Sequence, residues 1–389
     1  MKFMAQIVLT ILLISFPCSV LAFDTKVVWA GVGFSGDWGD RNRYYPSTSK
    51  IYELEGNPIQ AWARERIVTS EQYPFELKLG QIEEESLDKI ALAITFTGET
   101  VAYEKLVVDG KTEYIGNFSL SGAAIFFNLE SNKLIATTPL ITRYTNVYQS
   151  IPDQNEQHKI FKAMLSSDEL DLNFFSEMVS RLKNVNLSTL PSQFIQVNSF
   201  TVDEDVHSAV AASEDLDIFK YFLSTFFENR LSGSSGIAVI PNKVGHVVGN
   251  KIATRLPSGD RTLILPEPGF TIDLRVHKLV YQNEPENKST DCLCWGGLLS
   301  VAVEDRRFKG AEEELAKVGF RNVNCCYVDT GVTLEDYVEF QKLMMGLLEG
   351  VANQFNEIDK DWLGEKALDS KQARKSIEEA SELFKEAMF

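Results

Sequence analysis

Along residues 23–150 the apolar side chains come in short runs rich in Val, Ile, Thr, Phe and Tyr, separated by Gly-bearing turns, and this spacing predicts strands. The clearest runs cover residues 26–34, 89–97, 101–108, 122–129 and 133–144, with Asp109-Gly110 and Glu130-Ser131-Asn132 as hairpin turns. Strands joined by short turns pair antiparallel. A β-rich antiparallel N-terminal domain is therefore expected over residues 23–150.

Past Pro152 the period changes. Leu170, Phe174, Met178 and Leu182 recur four apart behind Ser166 and Glu169, a capping box, while Leu216, Phe219, Leu223 and Phe226 repeat the pattern from Ser213 to a Gly-rich stop over 232–236. Residues 151–231 thus read as a helical segment joining the halves.

Beyond it, Ile272, Leu274, Val276 and Val280 face one way and Asp273, Arg275 and His277 the other, the alternation of a half-buried strand. Residues 298–303, a short helix over 310–318 closed by Gly319, and residues 321–328 read as strand, helix, strand. Tyr337, Phe340, Met344, Leu347, Val351 and Phe355 form a helical stripe capped by Thr333. These elements predict an α/β domain over 232–360, followed by a charged helix over 361–389. The stripe of that helix, Ala373, Ile377, Ala380, Phe384 and Ala387, is thin enough for it to be mobile or partner-bound. A mixed α+β chain is the fold expectation.

Composition narrows the partners. The 389 residues are 44% hydrophobic, an ordinary globular value, and 55 acids against 38 Lys and Arg give a net charge of −17, which repels nucleic acid and anionic membrane surfaces. Residues 1–22 place Lys2 before an apolar run over 7–16, then Pro17 and the small-residue end Val20-Leu21-Ala22, the pattern of a secretory signal peptide. The run is too short for the ~20 residues of a membrane span, so a soluble periplasmic or secreted protein without a transmembrane anchor is expected.

Export makes disulfides the leading reading of Cys292, Cys294, Cys325 and Cys326. An adjacent Cys325–Cys326 ring would be strained, so two bridges between the clusters are favoured, which requires the segments starting at Cys292 and Arg321 to meet antiparallel. Tight C-x-C and C-C spacings disfavour a four-thiolate metal centre, and no C-x-x-C motif signals a redox pair.

Gly31-Val32-Gly33-Phe34-Ser35-Gly36 matches a dinucleotide-binding pattern, but a loop rather than a helix follows it, so no cofactor is expected. That loop carries Trp38, Arg41, Arg43, Tyr44 and Tyr45, a mixture suited to stacking on a glycan or protein partner, or to packing against a sheet end. Asp205-Val206-His207 lacks a third ligand for a metal, and neither Gly33-Phe34-Ser35-Gly36-Asp37 nor Gly233-Ser234-Ser235-Gly236-Ile237 completes G-x-S-x-G. The functional expectation is a non-enzymatic binding or assembly component of the envelope or extracellular space. The alternative is a secreted hydrolase with scattered carboxylates, for which 55 acids offer many pairs.

Overall fold

The computed structural model describes residues 25–70, 73–79, 89–108, 111–167, 173–187, 191–210, 216–285, 289–307, 313–329 and 334–388. Residues 1–22, expected to be a signal peptide, the Asp109-Gly110 turn and the Thr333 cap lie outside the described residues. The fold is mixed α+β, with 35% helix and 43% strand, and its N-terminal part is strand-rich.

In chain order, β1 (Lys26–Ser35) leads through the short helices α1 (Arg41–Tyr44), α2 (Thr48–Tyr52) and α3 (Pro58–Ala63) to β2 (Glu76–Lys78). Then come β3 (Ile90–Val108), β4 (Lys111–Asn128), β5 (Leu134–Tyr148), α4 (Gln154–Ser166) and α5 (Phe174–Leu182). β6 (Ile195–Val202) precedes α6 (Glu204–Val210) and α7 (Leu216–Ser235), and β7 (Val247–Val248), β8 (Lys251–Leu256) and β9 (Gly259–Ile264) follow. The long strands β10 (Phe270–Pro285), β11 (Thr290–Asp305) and β12 (Glu313–Asp329) precede α8 (Asp336–Gln354), α9 (Lys360–Lys366) and α10 (Ser370–Phe384).

Two sheets organise these elements. In the first, ordered β5-β4-β3-β1-β8-β7, the expected antiparallel meander β3-β4-β5 is present, whereas β1 pairs with β3 in parallel through the helical crossover. The runs 89–97 and 101–108 belong to one strand, because the chain bulges at Thr97 and Gly98 then pairs with Ser121 rather than opening a turn. The hairpins β7-β8 and β8-β9 return late in sequence, and β8 joins β1 antiparallel at Phe34 and Ser35. One face of this sheet packs Phe96, Phe118 and Leu120 on Phe161, Phe174 and Met178 of α4 and α5.

The glycines of the dinucleotide-like motif serve this junction. Gly31 takes φ +97° at a bulge, and a Cβ on Gly36 would lie 2.2 Å from His246 Nδ1. A Cβ on Gly33 would lie 1.9 Å from the Arg255 carbonyl oxygen, a backbone atom of β8 that cannot swing aside. Gly33→Ala is therefore expected to destabilise the fold by ~3 kcal/mol, the upper part of the range for overpacking. A urea-denaturation midpoint followed by circular dichroism checks this, and an unchanged midpoint would refute the close approach.

The second sheet has the order β12-β11-β10-β6, with β6 parallel to β10 and the other pairs antiparallel. Its inner face buries Val276, Trp295, Leu299 and Phe320 against Phe226 of α7, Met344 and Leu347 of α8, and Ile377 and Phe384 of α10. Lys342 on α8 bridges Glu339 and, at 2.6 Å, Glu104 on β3, linking the two halves.

Several sequence expectations change here. Residues 313–318 are strand, not helix: Ala316, Val318 and Phe320 are buried at a period of two, so β11 and β12 form an antiparallel pair instead of a strand-helix-strand unit. Val280 is 44% exposed because a bulge between Val276 and Lys278 shifts the phase and turns Leu279 inward in its place. α7 runs through Gly233 to Ser235, and a Cβ on Gly233 would meet Arg181. Asn173, not Ser166, caps α5, accepting from the Phe175 and Ser176 N–H groups. His207 lies on α6, with Asp205 two residues before it on the same helix. The thin stripe of the last helix is enough to dock it, since Ala373, Ile377, Ala380 and Phe384 are at most 2% exposed. Among the described residues, no helix is long and apolar enough to cross a membrane.

Candidate active site

The outer face of the second sheet gathers polar side chains from three strands. Parallel pairing sets Val202, the last residue of β6, beside Val276, and the Asp203 N–H donates to the Val276 carbonyl at 3.0 Å. The Asp203 carbonyl accepts from Val206 as α6 begins, so this residue is held on both sides. In the β10–β11 ladder Arg275 lies opposite Ser300, and the bulge at His277 sets the imidazole over the same face.

The side chains connect in series. Arg275 Nε donates to Asp203 Oδ1 at 2.7 Å, Asp203 Oδ2 lies 3.1 Å from His277 Nδ1, and His277 Nε2 lies 2.9 Å from Ser300 Oγ. The Arg275 guanidinium holds the Asp203 carboxyl below the usual carboxylate range, so it is ionised near neutrality and can only accept. In the neutral imidazole, Nδ1 then carries the proton and Nε2 accepts from the Ser300 hydroxyl, a tautomer assigned from this network. Nucleophile, base and orienting carboxylate thus meet the geometric description of a Ser-His-Asp triad. The His277 and Asp203 side chains are 32% and 30% exposed, and His277 and Ser300 border an open groove of about 570 Å³ lined also by Thr201, Asp273, Leu298, Lys317 and Leu368.

Acyl transfer also needs donors for a developing oxyanion. β11 lies between β10 and β12, so its ladders engage its backbone N–H groups on both sides. Arg275 and Lys317 are the cations that line the groove at Ser300, with Lys278 and Arg321 beside Leu298 on the same face, so charge for an oxyanion would come from side chains rather than from preset backbone dipoles.

A second polar cluster lies inside, where β1, β3, α7 and β7 converge. His246 Nε2 lies 3.0 Å from Tyr45 Oη and 3.2 Å from the Thr97 carbonyl, and burial pushes the imidazole down to about 4, keeping it neutral. Glu99 accepts from the Ser47 and Thr48 N–H groups and the Thr48 hydroxyl, and burial raises its carboxyl to about 7. Glu228 borders a cavity of about 30 Å³, room for a water. Its Oε2 accepts from Asn242 at 2.9 Å, its Oε1 has no hydrogen-bond partner among the described residues, and burial raises the carboxyl to about 8.

A raised folded-state value means that the folded chain holds this proton more tightly than the unfolded chain. The stabilisation is complete below the unfolded value of about 4.5 and is lost as pH rises through about 8. Glu228→Gln is expected to flatten the fall in urea midpoint between pH 6 and pH 9, with Glu99 accounting for the remainder. Identical slopes in variant and parent would reject a protonated Glu228.

The loop proposed from sequence as a ligand surface forms a packed cluster over the end of β1. Trp38 meets Phe34 at 4.9 Å, with Arg41 5.2 Å over its ring and paired to Glu53 at 3.2 Å. Arg43 lies over Tyr44 and pairs with Asp217, Tyr44 meets Tyr221 and His246 edge-on, and Tyr45 is 1% exposed.

Of the two bridges expected, one forms: Cys294 and Cys325, opposite each other in the antiparallel ladder, are bonded. Cys292 and Cys326 are free thiols and cannot pair, because alternation puts Cys292 on the outer face with the bridge and turns Cys326 inward against the core. Burial, with Glu339 and Glu104 nearby, pushes the Cys326 thiol up.

The triad was not visible in the sequence as a site. The alternation marked Arg275 and His277 as outward, but Asp203 lies 74 residues before His277 and Ser300 lies 23 after it, with no local motif.

No protein family matches the chain, and no curated protein sequence matches it. Among solved structures, a hypothetical protein from Chlamydia trachomatis aligns with 42% of this chain and 91% of its own at 14% identity, with a TM-score of 0.22. A lipopolysaccharide binding protein aligns with 82% of this chain and 88% of its own at 6% identity, with a TM-score of 0.11. Likenesses this weak carry neither a fold assignment nor a function.

Proposed function

We propose that the protein is an exported hydrolase that cleaves carboxylic esters with Ser300 as nucleophile, His277 as general base and Asp203 as the group that orients and charge-balances the imidazole. The observation that carries this reading is the unbroken series Asp203–His277–Ser300, with both contacts at hydrogen-bond distance, beside an open groove. It favours the hydrolase alternative over a purely binding role, with a serine rather than a carboxylate pair at the centre. The Cys294–Cys325 bond and the leader-like residues 1–22 support a periplasmic or secreted location.

Attack by Ser300 Oγ on the ester carbonyl passes its proton to His277 Nε2, and the imidazolium returns that proton to the departing alkoxide. Water, activated by the same imidazole, then releases the acyl group. Losing one backbone oxyanion donor costs ~10²–10³ in rate, so a site that uses Arg275 and Lys317 instead suits esters, whose alcohols leave readily, rather than amides. Leu298, with Val280 and Val323 two residue rows further along the same face, offers an apolar track for the acyl chain.

The test is covalent: a fluorophosphonate probe should label one serine, mapped by peptide mass to Ser300, and p-nitrophenyl butyrate should be hydrolysed above the buffer rate. No label together with no hydrolysis rejects the reading. A second reading, docking of an envelope or extracellular partner, draws on Val323 and Tyr327, 63% and 68% exposed at the far end of the second sheet. Capture of one partner at unchanged affinity by Ser300→Ala would favour it.

A further inference from the structure

We propose that the far end of the outer face is a thiol–disulfide exchange site, in which Cys292 displaces Cys325 from its bond to Cys294. Cys294 and Cys292 lie six and eight residues from Ser300 along β11, and the inference is independent of the ester chemistry. Three sulfurs share this face within 4.8 Å of one another, and the Cys292 and Cys294 Sγ atoms are 3.7 Å apart. Cys292 is partly accessible and Cys325 is exposed, so base and partner thiols reach both. Cys326, by contrast, is turned inward with a raised thiol, which leaves Cys292 as the attacking group.

The step balances within the chain. Cys292 loses its proton to solvent, its thiolate attacks Cys294 Sγ, the Cys292–Cys294 bond forms as the Cys294–Cys325 bond breaks, and Cys325 leaves as a thiolate that takes up a proton. No outside oxidant or reductant takes part. Two residues along a strand put the α-carbons ~6.6–6.8 Å apart, the upper end of the ~4.4–6.8 Å that a bridge spans, so the isomer needs only a local bend near Thr290, where β11 begins. Exchange trades a clasp between β11 and β12 for one within β11 and presents an exposed thiol at Cys325.

The experiment uses the whole protein, oxidised and without added reductant, held at pH 8.5 and trapped with N-ethylmaleimide over a time course before peptide mapping. The expected result is label on Cys325 together with a Cys292–Cys294 crosslink, appearing faster at higher pH. In Cys292→Ser, label should appear on Cys326 alone, with Cys294–Cys325 intact. Label confined to Cys292 and Cys326 in the parent protein, or a Cys292–Cys325 crosslink, overturns the proposal.

Discussion

Replacing Ser300 with alanine is expected to abolish ester hydrolysis, and replacing His277 with alanine should do so to nearly the same extent. General-base assistance is worth ~10²–10⁴ in rate, and it acts only through the serine it deprotonates. Once either partner is missing, the other has nothing to do, so the double variant should be no slower than either single one. Asp203→Asn tests the orienting role. The carboxylate fixes the proton on Nδ1 and offsets the charge that the ring gains, so its loss should lower kcat/KM by ~10²–10⁴ while fluorophosphonate labelling slows in parallel. Arg275→Ala exposes the dependence on side-chain charge, because it removes both the guanidinium beside Asp203 and a cation near the reacting carbonyl. Additive losses for Ser300→Ala and His277→Ala would show that the two do not work as a unit.

The second large effect concerns stability. Phe384, at the end of α10, is fully buried, with its ring centre 5.4 Å from Phe270 and 5.0 Å from Phe355. Truncating a buried phenylalanine leaves a void that neighbours fill only in part, at a cost of ~3–5 kcal/mol. Phe384→Ala should therefore lower the urea midpoint markedly, although α10 is mostly charged on its other faces. Glu378→Ala, which removes only the exposed i,i+4 pair with Arg374, should change stability by no more than ~0.5 kcal/mol. Equal, small effects for the two variants would mean that the last helix is not docked.

What the sequence revealed was local periodicity. β1 was legible as a continuous apolar run, which its burial on both faces explains, and β10 and the stripe of α8 were legible because their inward residues repeat at the strand or helix period over much of each element. Misreadings arose where one residue changed the phase or where a glycine signalled something other than a break. Gly98 follows a bulge and stays in the ladder, Gly233 continues α7 beneath Arg181, and Gly319 sits in mid-strand beneath Leu368, which a Cβ there would meet at 2.7 Å. The candidate site was less legible still. His277 owes its place to a bulge, and Asp203 and Ser300 reach it only through the β6–β10 and β10–β11 registers. Bonding between the two cysteine clusters was foreseeable from the expected export and antiparallel reach, whereas which pair bonds and the face on which each cysteine falls depended on a register that spacing alone does not fix.

The late return of β8 to β1 also governs the order in which the chain can mature. A chain emerging N-terminus first completes β5 at Tyr148, yet the strand that pairs with the end of β1 begins only at Lys251, roughly 100 residues and ~5–20 s of synthesis later. Throughout that interval the end of β1 at Phe34 and Ser35 lacks its partner, and the sheet face carrying Ala93, Ile125, Phe127 and Leu134 lacks the Ile252, Leu256 and Leu263 side chains that later cover it, an apolar surface that invites association between chains. A fragment ending near residue 150 should consequently be prone to self-association until the distant β7–β9 segment arrives to cover that face.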